Sequence, residues 1–292
     1  MRKASPPHSP RDGFSIVELL CVFAVIAIVI SLIGPAVVRA RESARRVDCS
    51  SRLRQIGVAL LSHEESYQAL PAGWKVEASG QSAYGWTVPL LPWIEQRNLA
   101  EAMDRNRTLS DPANAVALSQ SIPLYFCPSD PVENSFALYA EGDEGHDGYG
   151  QESDTVLITL PSASFVGVFG THDPDDGSGR KGEGPFICRD ATRLSQFERG
   201  LSQTMLVSER TARKLPSTWI GFLTAGEDAA ARVVGYADLG PNRDDADECE
   251  LDSRHPGQIN VLWGDGRVDP VSNSIDGRLY RAQARLRQGA EQ

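Results

Sequence analysis

Glu18 stands where a carboxylate is costly. The segment reads Gly13-Phe14-Ser15-Ile16-Val17-Glu18-Leu19-Leu20, and Cys21 to Ile33 then carries a single weakly polar residue, Ser31. An acid inside an apolar helix of membrane length is expensive, so its default reading is functional, with a partner to be named. The partner with suitable chemistry is an amine. Cleavage after Gly13 would expose an ammonium at Phe14, one helical turn from Glu18 and roughly 6 Å along the axis. Two charges that are each costly in lipid become tolerable as a pair. The expected chemistry is therefore processing at Gly13 and Phe14 and charge neutralisation by Glu18.

Elsewhere, reactive residue types occur without catalytic spacing. Beyond residue 70 there is no nucleophile elbow, P-loop, HExxH or dinucleotide fingerprint. His255 precedes Pro256 and Gly257 in a turn, and Asp265 lies in a predicted hairpin; a contact between them would make a site, but turn bonding and capping account for both more cheaply. The expectation is a protein that is not an enzyme. The five cysteines, at 21, 49, 127, 188 and 249, form no C-x-x-C pair, so zinc-site spacing is absent. Cys21 falls in the apolar run and Cys49 on the helix that follows. Cys127, Cys188 and Cys249 fall in the C-terminal part, where an oxidising exterior would permit one disulfide, its pairing left open by the sequence. Two acidic runs, Asp173, Asp175 and Asp176, then Asp244, Asp245, Asp247 and Asp252, offer oxygen donors of the kind Ca²⁺ takes, but neither has EF-hand spacing. Solvated loops are the simpler reading, and no cofactor is expected.

The elements that must position these residues begin with one long helix. Phe14 to Val38 is 25 residues, about 37 Å as helix, against a hydrocarbon core of roughly 30 Å. Pro35 lacks an N–H and crowds the carbonyl four residues before it, which predicts a kink at Gly34-Pro35. The helical period resumes through Val38, Ala44, Val47, Leu53, Ile56, Leu60 and His63, with most of the arginines off that stripe, until Leu70-Pro71-Ala72-Gly73 ends it. Such a stripe needs a globular head to pack on. The predicted organisation is a leader (1–13), a transmembrane helix (14–38), an amphipathic stalk (39–70) and an exported domain (71–292).

Within that domain the texture is short apolar stretches broken by Gly, Pro and Asp. Short helices are predicted up to Met103 and over Ala113 to Ile122. Strands are predicted at Leu124 to Pro128, Ser162 to Phe169 and Thr204 to Glu209. His255 to Val268 reads as a hairpin around Gly264-Asp265-Gly266. Residues 141–154 and 173–184 read as mobile acidic loops, and Arg278 to Gln288 as a polar, peripheral closing helix. The fold class is α+β: a long N-terminal helix packed on an antiparallel sheet with long loops.

Charge is divided along the chain. Residues 1–62 hold nine Lys/Arg against four Asp/Glu, and the remainder holds 20 against 35, within a total of −10. A basic stalk under an acidic head suits an anionic membrane surface and a soluble exterior, and it excludes a basic nucleic-acid footprint. Positive-inside counting by itself favours a cytoplasmic head, because Arg39, Arg41, Arg45 and Arg46 outnumber Arg2, Lys3 and Arg11.

The N-terminal phrase resembles the leader of type IV prepilins and type II secretion pseudopilins. That resemblance implies a cut after Gly13 on the cytoplasmic side, methylation of Phe14, a steering role for Glu18 in assembly, and export of the head. The remainder is similar to bacterial prepilin-like proteins with a large domain of unknown function numbered 1559. Cys49 to Leu60, read Cys-Ser-Ser-Arg-Leu-Arg-Gln-Ile-Gly-Val-Ala-Leu, matches that family's stalk-end phrase C-x-x-N-L-K-Q-I-G-L-A-L. Its CPSD falls on Cys127 to Asp130, its S-Y-V-G on Ser164 to Gly167, and its closing H-P-G and D-G phrases on His255 to Gly257 and Asp265 to Val268. Its DG-x-S-N-T-x-x-x-x-E is degraded to Arg199-Gly200-Leu201-Ser202-Gln203-Thr204 and Glu209, which argues against a ligand role for that loop. The implied partners are a prepilin peptidase, an inner-membrane assembly platform and sister subunits. The implied location is the inner membrane, single-pass, with the C-terminal domain periplasmic or extracellular. The rival reading is a membrane-anchored exterior binding module that forms no filament.

Overall fold

The apolar run and the amphipathic stripe form a single helix, α1 (Ile16–Tyr67), with Pro35 inside it and the helical assignment unbroken across that residue. The computed structural model describes residues 15–142, 153–176 and 182–287. Gly13, Phe14, most of the 141–154 loop, part of the 173–184 loop and Gln288 lie outside them. The chain falls into two units, residues 1–44 and 45–292. In the first, Ile16 to Val38 presents exposed apolar side chains along the helix, and this part is long and apolar enough to cross a membrane. In the second, Cys49, Leu53, Ile56, Gly57, Ala59, Leu60 and His63 are buried. The spacing 49, 53, 56, 60, 63 is one helix face. Val47, expected on that face, is exposed, and Cys49 takes the place. Gln68 in the left-handed region (φ 59°) ends the helix.

Among the described residues, three sheets follow. One joins β1 (Trp74–Val76), β2 (Ser82–Gly85) and a later strand, Gly221–Leu223; a second pairs β3 (Ser135–Tyr139), β4 (Val156–Ala163) and Ser217–Thr218. The largest has five strands. It contains β5 (Phe165–Gly170) and β6 (Met205–Glu209); after β7 (Ser217–Thr218) and β8 (Gly221–Leu223) come its remaining members, β9 (Val234–Tyr236), β10 (Gln258–Trp263) and β11 (Val268–Ser272). Its order is β11-β10-β6-β5-β9. All pairings are antiparallel except β5 with β9, where Gly167 faces Val234. The β10–β11 hairpin is as expected, with Gly266 at φ 84° in its turn.

Side chains on this sheet alternate between two apolar layers. Phe165, Phe169 and Leu262 pack in the core that includes Leu53, Ile56 and Leu60 of α1. Val166, Val168, Ile259, Val261 and Trp263 enter the opposite layer with Tyr280 and Ala284. The closing helix, α4 (Gly277–Gln283), is capped by Asp276 and buries Tyr280 and Gln283; it is a covering element of the core and not the peripheral helix expected.

Three further expectations are corrected. Leu124 to Pro128 is not a strand: Pro123–Tyr125 is one 3₁₀ turn, with the φ-locked Pro123 at its start. The predicted strand Ser162 to Phe169 is two strands broken at Ser164, whose N–H binds the Tyr125 carbonyl and whose carbonyl accepts from Arg210. Between α2 (Arg97–Ala102) and that turn, the predicted ten-residue helix shrinks to α3 (Ala115–Leu118).

Candidate functional site

Cys49, Cys127, Glu209 and His255 bring one ligand atom each to a single point, all within 4.8 Å of one another, and all four residues are buried. Each comes from a different element. Cys49 continues the buried face of α1, one turn before Leu53. Cys127 follows the Pro123–Tyr125 turn, which α1 grips from beside the site: Arg52 donates to the carbonyls of Pro123 (2.6 Å) and Phe126 (2.9 Å) and is braced by Asp48. Glu209 ends β6. His255 lies just before β10, its N–H bound to the Ser253 hydroxyl.

The contacts are short. Cys49 Sγ lies 2.5 Å from Glu209 Oε1, His255 Nε2 lies 3.2 Å from the same oxygen, and Cys127 Sγ lies 3.4 Å from His255 Nε2. Asn260 of β10 donates its backbone N–H to Glu209 Oε2 (2.8 Å) and its amide to Oε1 (3.2 Å). Burial alone would raise the Glu209 carboxyl, but the bonds from His255, Asn260 and Cys49 hold it below the usual carboxylate range. The hydrogen bond between the thiols divides them: it pushes Cys49 up, helped by burial and the Glu209 charge, and draws Cys127 down against the effect of burial. The result is a carboxylate, two thiols and an imidazole, all out of water.

The residues after Glu209 lock it in place. Arg210 is fully buried and donates to the Ser217 hydroxyl and to the carbonyls of Val234, Cys249 and Ala231. Thr211 donates its N–H (2.7 Å) and hydroxyl (2.6 Å) to buried Asp252. Ala212 donates its N–H to Asp130 Oδ2 at 3.1 Å. Asp130 is thus an anchor in the Cys127-Pro128-Ser129-Asp130 phrase, while Cys127 enters the cluster.

Several expectations change here. His255 touches Glu209 and Cys127, whereas Asp265 accepts from the Arg267 N–H in its own turn. Cys49 belongs to the head's interior with Cys127, so the disulfide alternatives drawn among Cys127, Cys188 and Cys249 omitted the thiol that Cys127 meets in this cluster; all five cysteines are free. Glu209 is a functional candidate even though the loop before it is degraded. The acidic runs are largely used internally: Asp175 accepts from the Ala230 and Ala231 N–H groups, Asp245 pairs with Arg243, and Asp252 holds Thr211. Asp173 and Asp247 do approach Cys249, but a thiol is a poor ligand for Ca²⁺.

At the N-terminal site, Gly13 and Phe14 lie outside the described residues. Glu18 Oε2 accepts the Ser15 N–H at 2.9 Å, and the Ser15 hydroxyl accepts the Val17 N–H at 3.2 Å. Ser15 therefore caps α1 through the Val17 N–H while Glu18 returns a bond to the Ser15 N–H, half of a capping box and a local role that the Ser-x-x-Glu spacing itself announces.

Residues 38–278 match the family described as "Protein of unknown function (DUF1559)". The chain belongs to this family. No curated protein and no solved structure matches it significantly. All four cluster residues fall inside the matched span, and each sits in one of the phrases that carry the family likeness. The match begins at Val38 and leaves out the N-terminal phrase around Glu18.

Proposed function

We propose that this DUF1559 protein is a structural, pilin-like subunit: processed after Gly13 by a prepilin peptidase, methylated at Phe14, held by α1 in the inner membrane, and drawn from there by an assembly platform into a pilus or secretion pseudopilus. The observation that carries the reading is Glu18, an acid on an otherwise apolar, exposed helix start of membrane length. It would neutralise the new ammonium of an adjoining subunit. The acidic remainder of the chain would face the exterior, with no nucleic-acid partner and no catalytic step of its own.

A second reading, a membrane-anchored exterior binding module without a filament, is favoured by the capping box, which gives Glu18 work to do inside one chain. Mass spectrometry of the protein from its native membrane tests the first reading. The expected mature N-terminus is methyl-Phe14; a chain still carrying residues 1–13 in cells with an active peptidase overturns it.

A further inference from the structure

We propose that Cys49, Cys127, Glu209 and His255 bind one Zn²⁺ ion in a closed structural site that fastens α1 to the turn before Cys127, to β6 and to the approach to β10. The proposal goes beyond the filament reading and does not depend on it.

The donor set selects the ion. Two thiols, an imidazole and a carboxylate suit a borderline-soft tetrahedral cation, while Ca²⁺ and Mg²⁺ require oxygen shells. The geometry agrees. With zinc–ligand bonds of about 2.0–2.3 Å, neighbouring ligand atoms in a tetrahedron stand about 3.3–3.8 Å apart. The His255–Glu209 and Cys127–His255 separations are 3.2 and 3.4 Å, and the Cys49–Glu209 contact of 2.5 Å would open to that edge as the metal enters. All four side chains are nearly inaccessible, between 0 and 3 % exposed, so four protein ligands and no open position describe a structural centre and not a hydrolytic one. Asn260 supplies outer support by holding both oxygens of Glu209, as carboxylate ligands of metals are commonly held.

A Cys49–Cys127 disulfide would be the competing use of the thiols. It would consume both sulfurs and leave only Glu209, His255 and Asn260 as a buried hydrogen-bonded set, so it does not account for the convergence of four donors. Zinc accounts for all four at once, because one cation answers the buried carboxylate, both sulfurs and the imidazole together. Binding releases one proton from each thiol that is still protonated to solvent and leaves the imidazole neutral. The absence of C-x-x-C spacing is no obstacle: the ligands are distant in sequence, and a clip closing long loops is the arrangement that constrains the unfolded chain most.

The test uses the full chain in detergent, purified under reducing conditions without chelator. Elemental analysis should give about one zinc per chain, and replacing it with Co²⁺ should produce the thiolate-to-cobalt charge-transfer band and the intense visible bands of a tetrahedral site. Cys49→Ser and His255→Gln should each lose at least tenfold in zinc retention, and chelation should lower the melting temperature of the parent protein. If a variant fails to fold, the cobalt spectrum and metal content of the parent chain decide alone. Zinc below one-tenth per chain after incubation with Zn²⁺, with no shift in melting, overturns the proposal. So does a Cys49–Cys127 disulfide found by non-reducing peptide mapping of protein taken directly from cells.

Discussion

Arg210 shows how a single residue can matter more than any surface ion pair in this protein. Its guanidinium is fully buried and makes five hydrogen bonds to Ser217, Val234, Cys249 and Ala231. No carboxylate is among those partners. Burial lowers the guanidinium from its ordinary value, and carbonyl dipoles replace its water. Removing it leaves acceptors unpaired, at about 1–3 kcal/mol each, and opens a void. Arg210→Ala should therefore cost about 3–5 kcal/mol, whereas Arg267→Ala, which breaks the exposed pair with Asp269, should cost about 1 kcal/mol or less. Chemical denaturation of both variants checks this, and equal midpoints would show that the carbonyl cage contributes nothing. At the same scale, Glu209 and Arg210 are adjacent, oppositely charged and both buried, yet each has separate partners.

At the scale of elements, α1 was the most legible and the route to the site the least. Hydrophobic period alone predicts a helix ending near residue 70, and the helix ends at Tyr67. The β10–β11 hairpin follows from Gly264-Asp265-Gly266, and the buried strand β6 from the apolar triplet Met205-Leu206-Val207. Period also contains the signal for Cys49, which stands four residues before Leu53 on the buried face; helical phase reveals it where C-x-x-C spacing does not. What no period could supply is the meeting of that face with Cys127, Glu209 and His255, because these approach through three separate pairings made across long loops. Gly57 marks how closely α1 lies on the sheet, since a Cβ there would stand 2.8 Å from Leu262 Cδ1 on β10. Gly57→Val should destabilise the protein by about 1–3 kcal/mol through overpacking. Val58→Ala, on the exposed side one position later, should stay within about 0.5 kcal/mol. Melting temperatures of the two variants separate them, and a neutral Gly57→Val would mean that helix and sheet are not in firm contact.

For the whole molecule, the open choice is between a subunit that joins a filament and one that remains a membrane-anchored module, and Glu18 can be made to decide. Its two roles place different demands on the side chain. As the third residue of a capping box it needs only an acceptor oxygen for the Ser15 N–H, and a glutamine provides one as well as a glutamate does. As the counter-ion of a neighbour's ammonium it needs a negative charge, which glutamine lacks, so an unpaired ammonium would have to enter an apolar environment at a cost of several kcal/mol. Glu18→Ala removes both roles and cannot tell them apart. Glu18→Gln removes only the charge. The filament reading expects Glu18→Gln to insert into the membrane and to be processed like the parent, yet to lose cross-linking to sister subunits as completely as Glu18→Ala. If Glu18→Gln behaves as the parent while Glu18→Ala alone is impaired, Glu18 is a helix cap, and the acidic head is displayed by an anchor and not by a filament. The comparison depends on one nearly isosteric change in chemistry, an amide for a carboxylate, at a position where helix geometry keeps everything else the same.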